Sequence, residues 1–399
     1  MAYYSSCKLF IYKKAGALRR ISLLLFLLLL HIRPMSLCAN IVKAKPCFSM
    51  PLIQGFPVKE SNIRSCNWPN CPSINGDVCI NTLPKKYIFE EPKMGSPFTI
   101  TICCIDSVAA SKAANAAFIK ADELNGILSD YLDNSEINRL SASSGKGKYM
   151  PVSAPLFDIL ERSLEAACLS GGNYDVSIGP LVKLWRQARK TKILPNGDSL
   201  RSARQKTNYK YIHLDTVNHA VWLEKAGMKL DIGGLGKGFV AAAVLEVLKK
   251  NGFFCAMVNA GGKIVIGQPP AEAAGWLIGI NAPGEKEAIL PHLLLLSEMA
   301  VATSGDIYQY VEFNGKRYSH IINPKTGKGL TIRRNVTAIA KDGTTADWLA
   351  TACSVLPLAK SFQLIKKIPG AALLITENRN GKIYSKSSPN FKNYQCKSI

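Results

Sequence analysis

Eight residues constrain this chain more than any others. The stretch "DIGGLGKG", Asp231–Gly238, holds four glycines, one acid and one lysine. The chain enters it through "MKLDI", residues 228–232, whose apolar alternation reads as a strand. After it runs "FVAAAVLEVLKKNG", a helix pattern that closes on lysines and a glycine. Strand, glycines, helix is an order that brings backbone N–H groups to a helix start, where a phosphate can bind. The same glycines also permit a tight turn with close packing, so the loop alone leaves both readings open. Two specific phosphate loops do not fit. A Walker loop needs glycine where Asp231 stands and Ser or Thr where Gly238 stands. A dinucleotide fingerprint starting at Gly234 meets Phe239 in its last place. Starting at Gly236 it meets the tolerated Ala241, but no acid follows at the required distance.

The surrounding chain mixes strands and helices without strict alternation, which predicts an α+β fold rather than a doubly wound sheet. "YIFEEPKMGSPFTITICCID" reads as two strands around a turn at Gly95–Pro97. Helical spacing covers Val108–Leu132, the run "APLFDILERSLEAACLS" up to Gly171–Gly172, and "TTADWLATACSVLPL". "KYIHLD" with "AVWLE" reads as a hairpin, and "FFCAMVNAGG", "GWLIGI" and "AALLITEN" as further strands. No internal repeat interrupts the pattern.

The N-terminus has a different character. Lys8, Lys13, Lys14, Arg19 and Arg20 precede "ISLLLFLLLL", an apolar run of a secretory signal's length and about half of what a spanning helix needs. Residues 1–39 are therefore expected to be a signal peptide or membrane anchor, with cleavage after Ala39 or lipidation of Cys38 as alternatives. Export to the periplasmic side of a bacterial inner membrane follows. Nine basic residues precede the first acid, Glu60. They account for part of the net charge of +22 and leave 41 basic residues against 28 acids. The remainder is moderately basic, which suits polyanionic ligands or an anionic membrane surface. No stripe of aromatics and arginines points to nucleic acid. Residues 40–85 contain Cys47, Cys66, Cys71 and Cys79 and read as a disulfide-stapled extension of open connectivity. Zinc is the competing reading, weakened by the lack of Cys-x-x-Cys and of histidine. Residues 86–385 form the expected main domain and 386–399 a C-terminal tail.

Two further stretches carry chemistry. "ATSGDIYQYVEFNGKRYSHIINPKTGKG", Ala302–Gly329, pairs an acid in a Ser-Gly-Asp turn with His320. That histidine stands among Ser319, Asn323 and Thr326, and imidazole is suited to general-base work near neutral pH. "TTADWLAT" places Asp347 and Thr351 four residues apart, on one helical face. A carboxylate and a hydroxyl are part of a Mg²⁺ shell, although a helix cap beside a surface threonine has the same sequence.

Taken together, "MGSPFTI", "NYDVSIGPLV", "DIGGLGKGFV", "NAGGKI", "ATSGDIYQY", "YSHIINPKTG" and "TTADWLATA" resemble, block by block and in order, the ApbE-like FAD:protein FMN transferases. The resemblance covers about Lys93 to Asn378. It implies a Mg²⁺-dependent enzyme that splits the pyrophosphate of FAD. The enzyme would place FMN on a Thr or Ser hydroxyl of a target protein through a phosphoester bond and release AMP. Met94, Asn173, Tyr174, Asp175, Asp231, Lys237 and Ile321 would then contact FAD. Gly234 and Ala350 would contribute to the metal site through their backbone, and Asp347 and Thr351 through their side chains. His320 would be the base. The acceptor would be a flavoprotein subunit of a membrane electron-transport complex, such as a sodium-pumping NADH:quinone reductase.

The sequence departs from the resemblance twice. Lys263 stands where an acid is common, and Asn323 where Asp is common. The lysine is expected to alter the turn or attract the diphosphate, and the asparagine to remove a charge near the site. Hydrolysis of FAD to FMN and AMP, or flavin binding without catalysis, are the alternatives to transfer.

Overall fold

The computed structural model describes residues 83–281, 289–305 and 309–396. The expected signal or anchor, the four clustered cysteines and Asp306 of the Ser-Gly-Asp turn lie outside the described residues. No helix among the described residues is long and apolar enough to cross a membrane.

One eight-stranded sheet organises the domain. Its strands are β1 (Lys85–Lys93), β2 (Ser96–Cys104), β3 (Ala256–Ala260), β4 (Lys263–Ile266), β5 (Ala300–Ser304), β6 (Arg334–Ala340), β7 (Ala372–Arg379) and β8 (Lys382–Ser387). Spatial order equals chain order, and every neighbouring pair is antiparallel. The helices are α1 (Ser107–Leu128), α2 (Glu136–Ala142), α3 (Ala154–Leu169), α4 (Gly179–Thr191), α5 (Gly197–Gln205), α6 (Gly236–Lys250), α7 (Gly343–Val355) and α8 (Leu358–Ile365). The fold is α+β, as the mixed pattern implies.

The inner strands of the sheet are buried on both faces, as β6 and β7 show residue by residue, while the edge strand β8 is exposed. Ala338 and Ala340 of β6 join the larger core, while Ile339 between them joins a second one. Leu373 and Ile375 of β7 alternate with Ala372 and Leu374 in the same way. This period of two follows from the pleat. On one face lie α1, α6 and α7, which pack against one another in that order. The alanines of α1, Ala110, Ala113, Ala114, Ala117 and Ala121, are buried and let the layer approach closely. On the other face lie a hairpin, Trp276–Asn281 with Ile289–Leu296, and Phe391. The segment after residue 385 thus contributes a buried aromatic to the domain.

A smaller third cluster, with Leu181, Trp185, Val311 and Ile322, joins α4 to the hairpin Tyr310–Phe313/Lys316–Ser319. Trp185 Nε1 donates to the Gly327 carbonyl at 2.8 Å and ties the two pieces together. Cys168 on α3 is disulfide-bonded; Cys103, Cys104, Cys255 and Cys353 are free thiols.

Antiparallel pairing fixes which turns meet. The β1–β2 turn, the β3–β4 turn and the β5–β6 connection all leave the same end of the sheet. Met94 and Gly95 make the first turn, both with positive φ, and Gly261 and Gly262 make the second. The β5–β6 connection carries His320.

Candidate active site

The glycine loop forms as a turn at the head of α6. "MKLDI" is not a ladder strand: it is extended but makes a single bridge, from Lys229 to Ile178. The helix begins at Gly236, inside the glycine-rich stretch. Side-chain-free positions are required where α6 and α7 cross. A Cβ at Gly238 would lie 2.0 Å from the Gly343 carbonyl oxygen, and one at Gly343 would lie 2.3 Å from the Gly238 oxygen. At Gly234 it would press on Thr351 and Tyr174, each at 2.9 Å.

This crossing places Asp347 against the start of α6. Its cap-like reading fails, because Asp342 is the N-cap and takes the Thr345 N–H at 2.9 Å. Asp347 is instead wholly buried. Its Oδ2 accepts from the Gly238 N–H at 3.0 Å, while Oδ1 has no hydrogen-bond partner. One turn on, Thr351 Oγ1 donates to the Gly234 carbonyl at 3.0 Å and lies 3.3 Å from Ser304 Oγ. Ala350 is buried beside it, and its carbonyl accepts from Ser354 Oγ at 2.8 Å. Helix α7 is anchored at its far end by Arg334, whose guanidinium donates to the Cys353, Ser354 and Leu356 carbonyls and to Glu377. A cation at a helix C-terminus is favourable there.

Among the described residues no group of three or more His, Cys, Asp and Glu is placed to hold a metal. A zinc-type site is absent from them. The set Asp347, Thr351 and the Gly234 carbonyl is all oxygen, with one carboxylate. It fits a Mg²⁺-like ion, which takes few protein oxygens and keeps places for phosphate and water. The unpartnered Oδ1 supports that fit, since a buried carboxylate oxygen without a donor is costly.

Asp231 is the second buried acid. Oδ1 accepts the Gly233 N–H at 2.7 Å, and Oδ2 faces Arg186 at 3.1 Å. Burial and then Asp130 push its pKa up to about 6, against the pull of Arg186, the Gly233 N–H and Lys237. Arg186 also grips Asp130 and lies 4.0 Å above the Tyr131 ring. Arg186, Asp130 and Tyr131 were not legible in the sequence. On α4, Arg186 is one of several basic residues in an amphipathic pattern, and its partners lie 45 and 56 positions away.

Tyr174 sits between the acids. It is buried, its ring is against Gly234, and burial together with Asp231, Asp347 and Asp175 holds its phenol well above the usual range. Asn173 is also buried and donates to the Ser170 carbonyl at 2.7 Å. Asp175 spends both oxygens inside the protein: Oδ1 on the Ser177 N–H and hydroxyl, Oδ2 on the Tyr209 N–H. It shapes the turn that carries Asn173 and Tyr174. Lys237 lies in the first turn of α6, its Cε 3.9 Å from the Cβ position of Gly261. Half-buried Met94 packs against the core from the β1–β2 turn.

His320 has other company than the sequence suggested. Ser319 Oγ accepts from the Ile321 N–H, and Asn323 Oδ1 from the N–H groups of Lys325 and Thr326. The histidine's partner is the Gln309 carbonyl, 3.1 Å from Nδ1. A carbonyl only accepts, so Nδ1 carries the proton and Nε2 keeps its lone pair. Burial lowers the imidazole pKa to about 4; the Gln309 carbonyl opposes this, and Arg189, Lys263 and Lys237 add to it. Val182, Trp185, Val311 and Ile322 share a small cavity with it. His320 is therefore neutral at neutral pH and its Nε2 can accept a proton, but it is a weaker base than an ordinary imidazole, not one poised near neutral pH as the sequence suggested. The expected loss at Asn323 is also resolved: accepting two backbone N–H groups is work an amide does as well as a carboxylate. His213 has a polar partner too, Glu224 at 3.0 Å across its hairpin.

Lys263 does not distort its turn, which is closed by Asn259 Oδ1 on the Gly262 N–H at 2.9 Å. Its ammonium donates to the Thr303 carbonyl at 2.7 Å and lies 3.8 Å from Asp347 Oδ1. Burial pulls the Lys263 pKa down, with Asp347 opposing and Lys237 adding.

Comparison with known proteins identifies the family. The sequence profile of the ApbE family matches residues 94–375. The FAD:protein FMN transferase of Treponema pallidum is 32% identical over 279 residues, 66% of this chain and 76% of the relative. That of Salmonella typhimurium is 26% identical over 317 residues, 78% of this chain and 90% of the relative. The crystal structure of the ApbE protein of Thermotoga maritima superposes with a TM-score of 0.71 at 26% identity, covering 78% of this chain and all of that one. The match over residues 94–375, with the shared fold, places this chain in the ApbE family.

Proposed function

We propose that the protein transfers FMN from FAD to a hydroxyl of a protein acceptor and releases AMP. The observation that carries this is the meeting of a buried carboxylate, a hydroxyl and a carbonyl with a lysine-bearing helix start, within electrostatic reach of a neutral histidine. The names of the relatives support the same reaction. Asp347, Thr351 and the Gly234 carbonyl would hold Mg²⁺, with Ala350 adjacent. When bound, the ion neutralises charge on the diphosphate. Lys237 and the N–H groups at the start of α6 add positive potential where the diphosphate would lie. His320 Nε2 takes the proton of the acceptor Thr or Ser hydroxyl. The freed oxygen forms a bond to the FMN phosphorus, the P–O bond to the AMP portion breaks, and AMP leaves with that oxygen.

The N-terminal basic and apolar segment supports action outside the cytoplasm. A flavoprotein subunit of a membrane electron-transport complex is the acceptor we propose. Incubation with FAD, Mg²⁺ and a candidate subunit tests the reading through in-gel flavin fluorescence and AMP release. AMP and FMN without labelled acceptor would replace transfer by hydrolysis, and bound FAD without AMP would sink both.

Two variants follow from the geometry. His320→Ala should slow transfer by about 10²-fold or more while FAD affinity stays within a few-fold, in keeping with the usual worth of a general base. Equal losses in rate and affinity would make the histidine a positioning residue. Burial pushes the Asp231 pKa up to about 6; protonation below that value loosens its hold on the Gly233 N–H and Arg186, which fix the glycine loop, so FAD affinity should weaken as pH falls through it. Arg186→Ala removes a charge that favours the carboxylate and should move this limb to higher pH. Flavin fluorescence titrations between pH 5 and 8 report it, and an unmoved limb would assign it to another group.

A further inference from the structure

Asp347 Oδ1 is the one carboxylate oxygen among the buried unpartnered side-chain atoms of the described residues. The cation facing it is Lys263, at 3.8 Å, close enough for an ion pair and too far for a hydrogen bond. The gap has a cause. Lys263 gives its hydrogen bond to the Thr303 carbonyl on the neighbouring strand, which holds the ammonium off the carboxylate. Lys263 itself pairs with Ala302 of β5, and the residue before it is fixed at both of its backbone groups. The Gly262 N–H is taken by Asn259, and the Gly262 carbonyl accepts from the Thr303 N–H at 3.1 Å. The Lys263 side chain is largely buried and that of Asp347 almost wholly so, which leaves little water to screen the pair.

We propose that Lys263 is a built-in counter-ion of Asp347 that weakens divalent-cation binding to the free protein. The inference rests on the reading of Asp347 as a metal ligand. An ion at Oδ1 would stand within a few ångströms of a fixed ammonium, in a site with little screening. The carboxylate's charge is thus already balanced before an ion arrives. Added negative charge restores the attraction, and a diphosphate ester supplies it. The ion therefore enters favourably together with its anionic substrate rather than ahead of it. Lys263 is a positioning residue in this account, because it acts through Asp347.

The test uses the intact protein and Mn²⁺ alone, with no flavin, followed by electron paramagnetic resonance of the free ion. Lys263→Met keeps the side chain's length and removes its charge. It should bind Mn²⁺ at least tenfold more tightly than the wild type, and adding Asp347→Asn should abolish the gain. Equal or weaker binding in Lys263→Met would overturn the proposal, as would a gain that survives Asp347→Asn. If Lys263→Met does not fold, Lys263→Gln makes the same comparison and can still donate to the Thr303 carbonyl. FMN transfer is read separately, from AMP release. Loss of the transferase reading would leave the Mn²⁺ comparison standing, and an unchanged Mn²⁺ affinity would leave the transferase reading standing.

Discussion

Asp347→Asn should reduce FAD-dependent AMP release by about 10³-fold, a change of roughly 4 kcal/mol in the barrier. The substitution is nearly isosteric, and the amide oxygen can still accept the Gly238 N–H that Asp347 now accepts. A folding defect is therefore not expected. Loss of a buried carboxylate oxygen without a donor favours the variant and loss of the counter-ion of the buried Lys263 disfavours it, so its thermal midpoint should stay close to that of the wild type. This combination separates a ligand from a structural residue. A purely structural Asp347 would lose stability and activity together. Turnover within tenfold of wild type, at saturating Mg²⁺, would remove Asp347 from the metal role.

The second large effect is on the fold. Gly238→Ala puts a methyl group 2.0 Å from the Gly343 oxygen, 2.6 Å from its carbon and 2.8 Å from Asp347 Cβ. Two of these are backbone atoms of a buried helix, so no rotamer change relieves the overlap. The helices must separate, and α6 and α7 sit on the same sheet face inside the main core. Overpacking of this kind costs about 1–3 kcal/mol where side chains can move aside. Here we expect roughly 3 kcal/mol or more. At about 2–4 °C per kcal/mol for a domain of this order, the melting midpoint should fall by roughly 6 °C or more. Calorimetry checks this; a midpoint within 2 °C of wild type, taken as about 1 kcal/mol or less, would show that the crossing is looser than described. Divalent binding should weaken as well, because Asp347 is positioned through the Gly238 N–H.

How much of this was legible beforehand differs from residue to residue. The helix after the glycine loop was clear because its apolar spacing is regular and its end is marked by lysines and a glycine. "MKLDI" looked like a strand because alternation reports which side chains are buried, not whether a partner strand exists. Its only ladder contact is one bridge. The pair Asp347 and Thr351 could be found because four-residue spacing is a local signal. Arg186 could not, because its value comes from partners brought close only by folding. Strand β5, "AVATS", is short and built of small residues, so its central place in the sheet left no periodic trace. Lys263 was visible as a departure, but its direction depended on the Thr303 carbonyl, which sequence cannot locate. Asn323 looked like a lost charge. Its actual task, holding two backbone N–H groups, is set by turn geometry, where amide and carboxylate are interchangeable.

The order of the eight strands bears on how such a protein can change over time. Each strand pairs with its immediate successor, so every connecting segment starts and ends at adjacent positions, about 5 Å apart. Lengthening a connection between neighbouring points costs only the slow logarithm of its length. The long stretch from β2 to β3 holds Asp231 and Lys237, that from β5 to β6 holds His320, and that from β6 to β7 holds Asp347 and Thr351. Apart from Met94 and Lys263, the site is a set of grafts on one uninterrupted frame. On the function proposed above, drift in the β5–β6 graft would change the surroundings of His320 while the ladder, and the residues proposed to hold the diphosphate, are inherited unaltered.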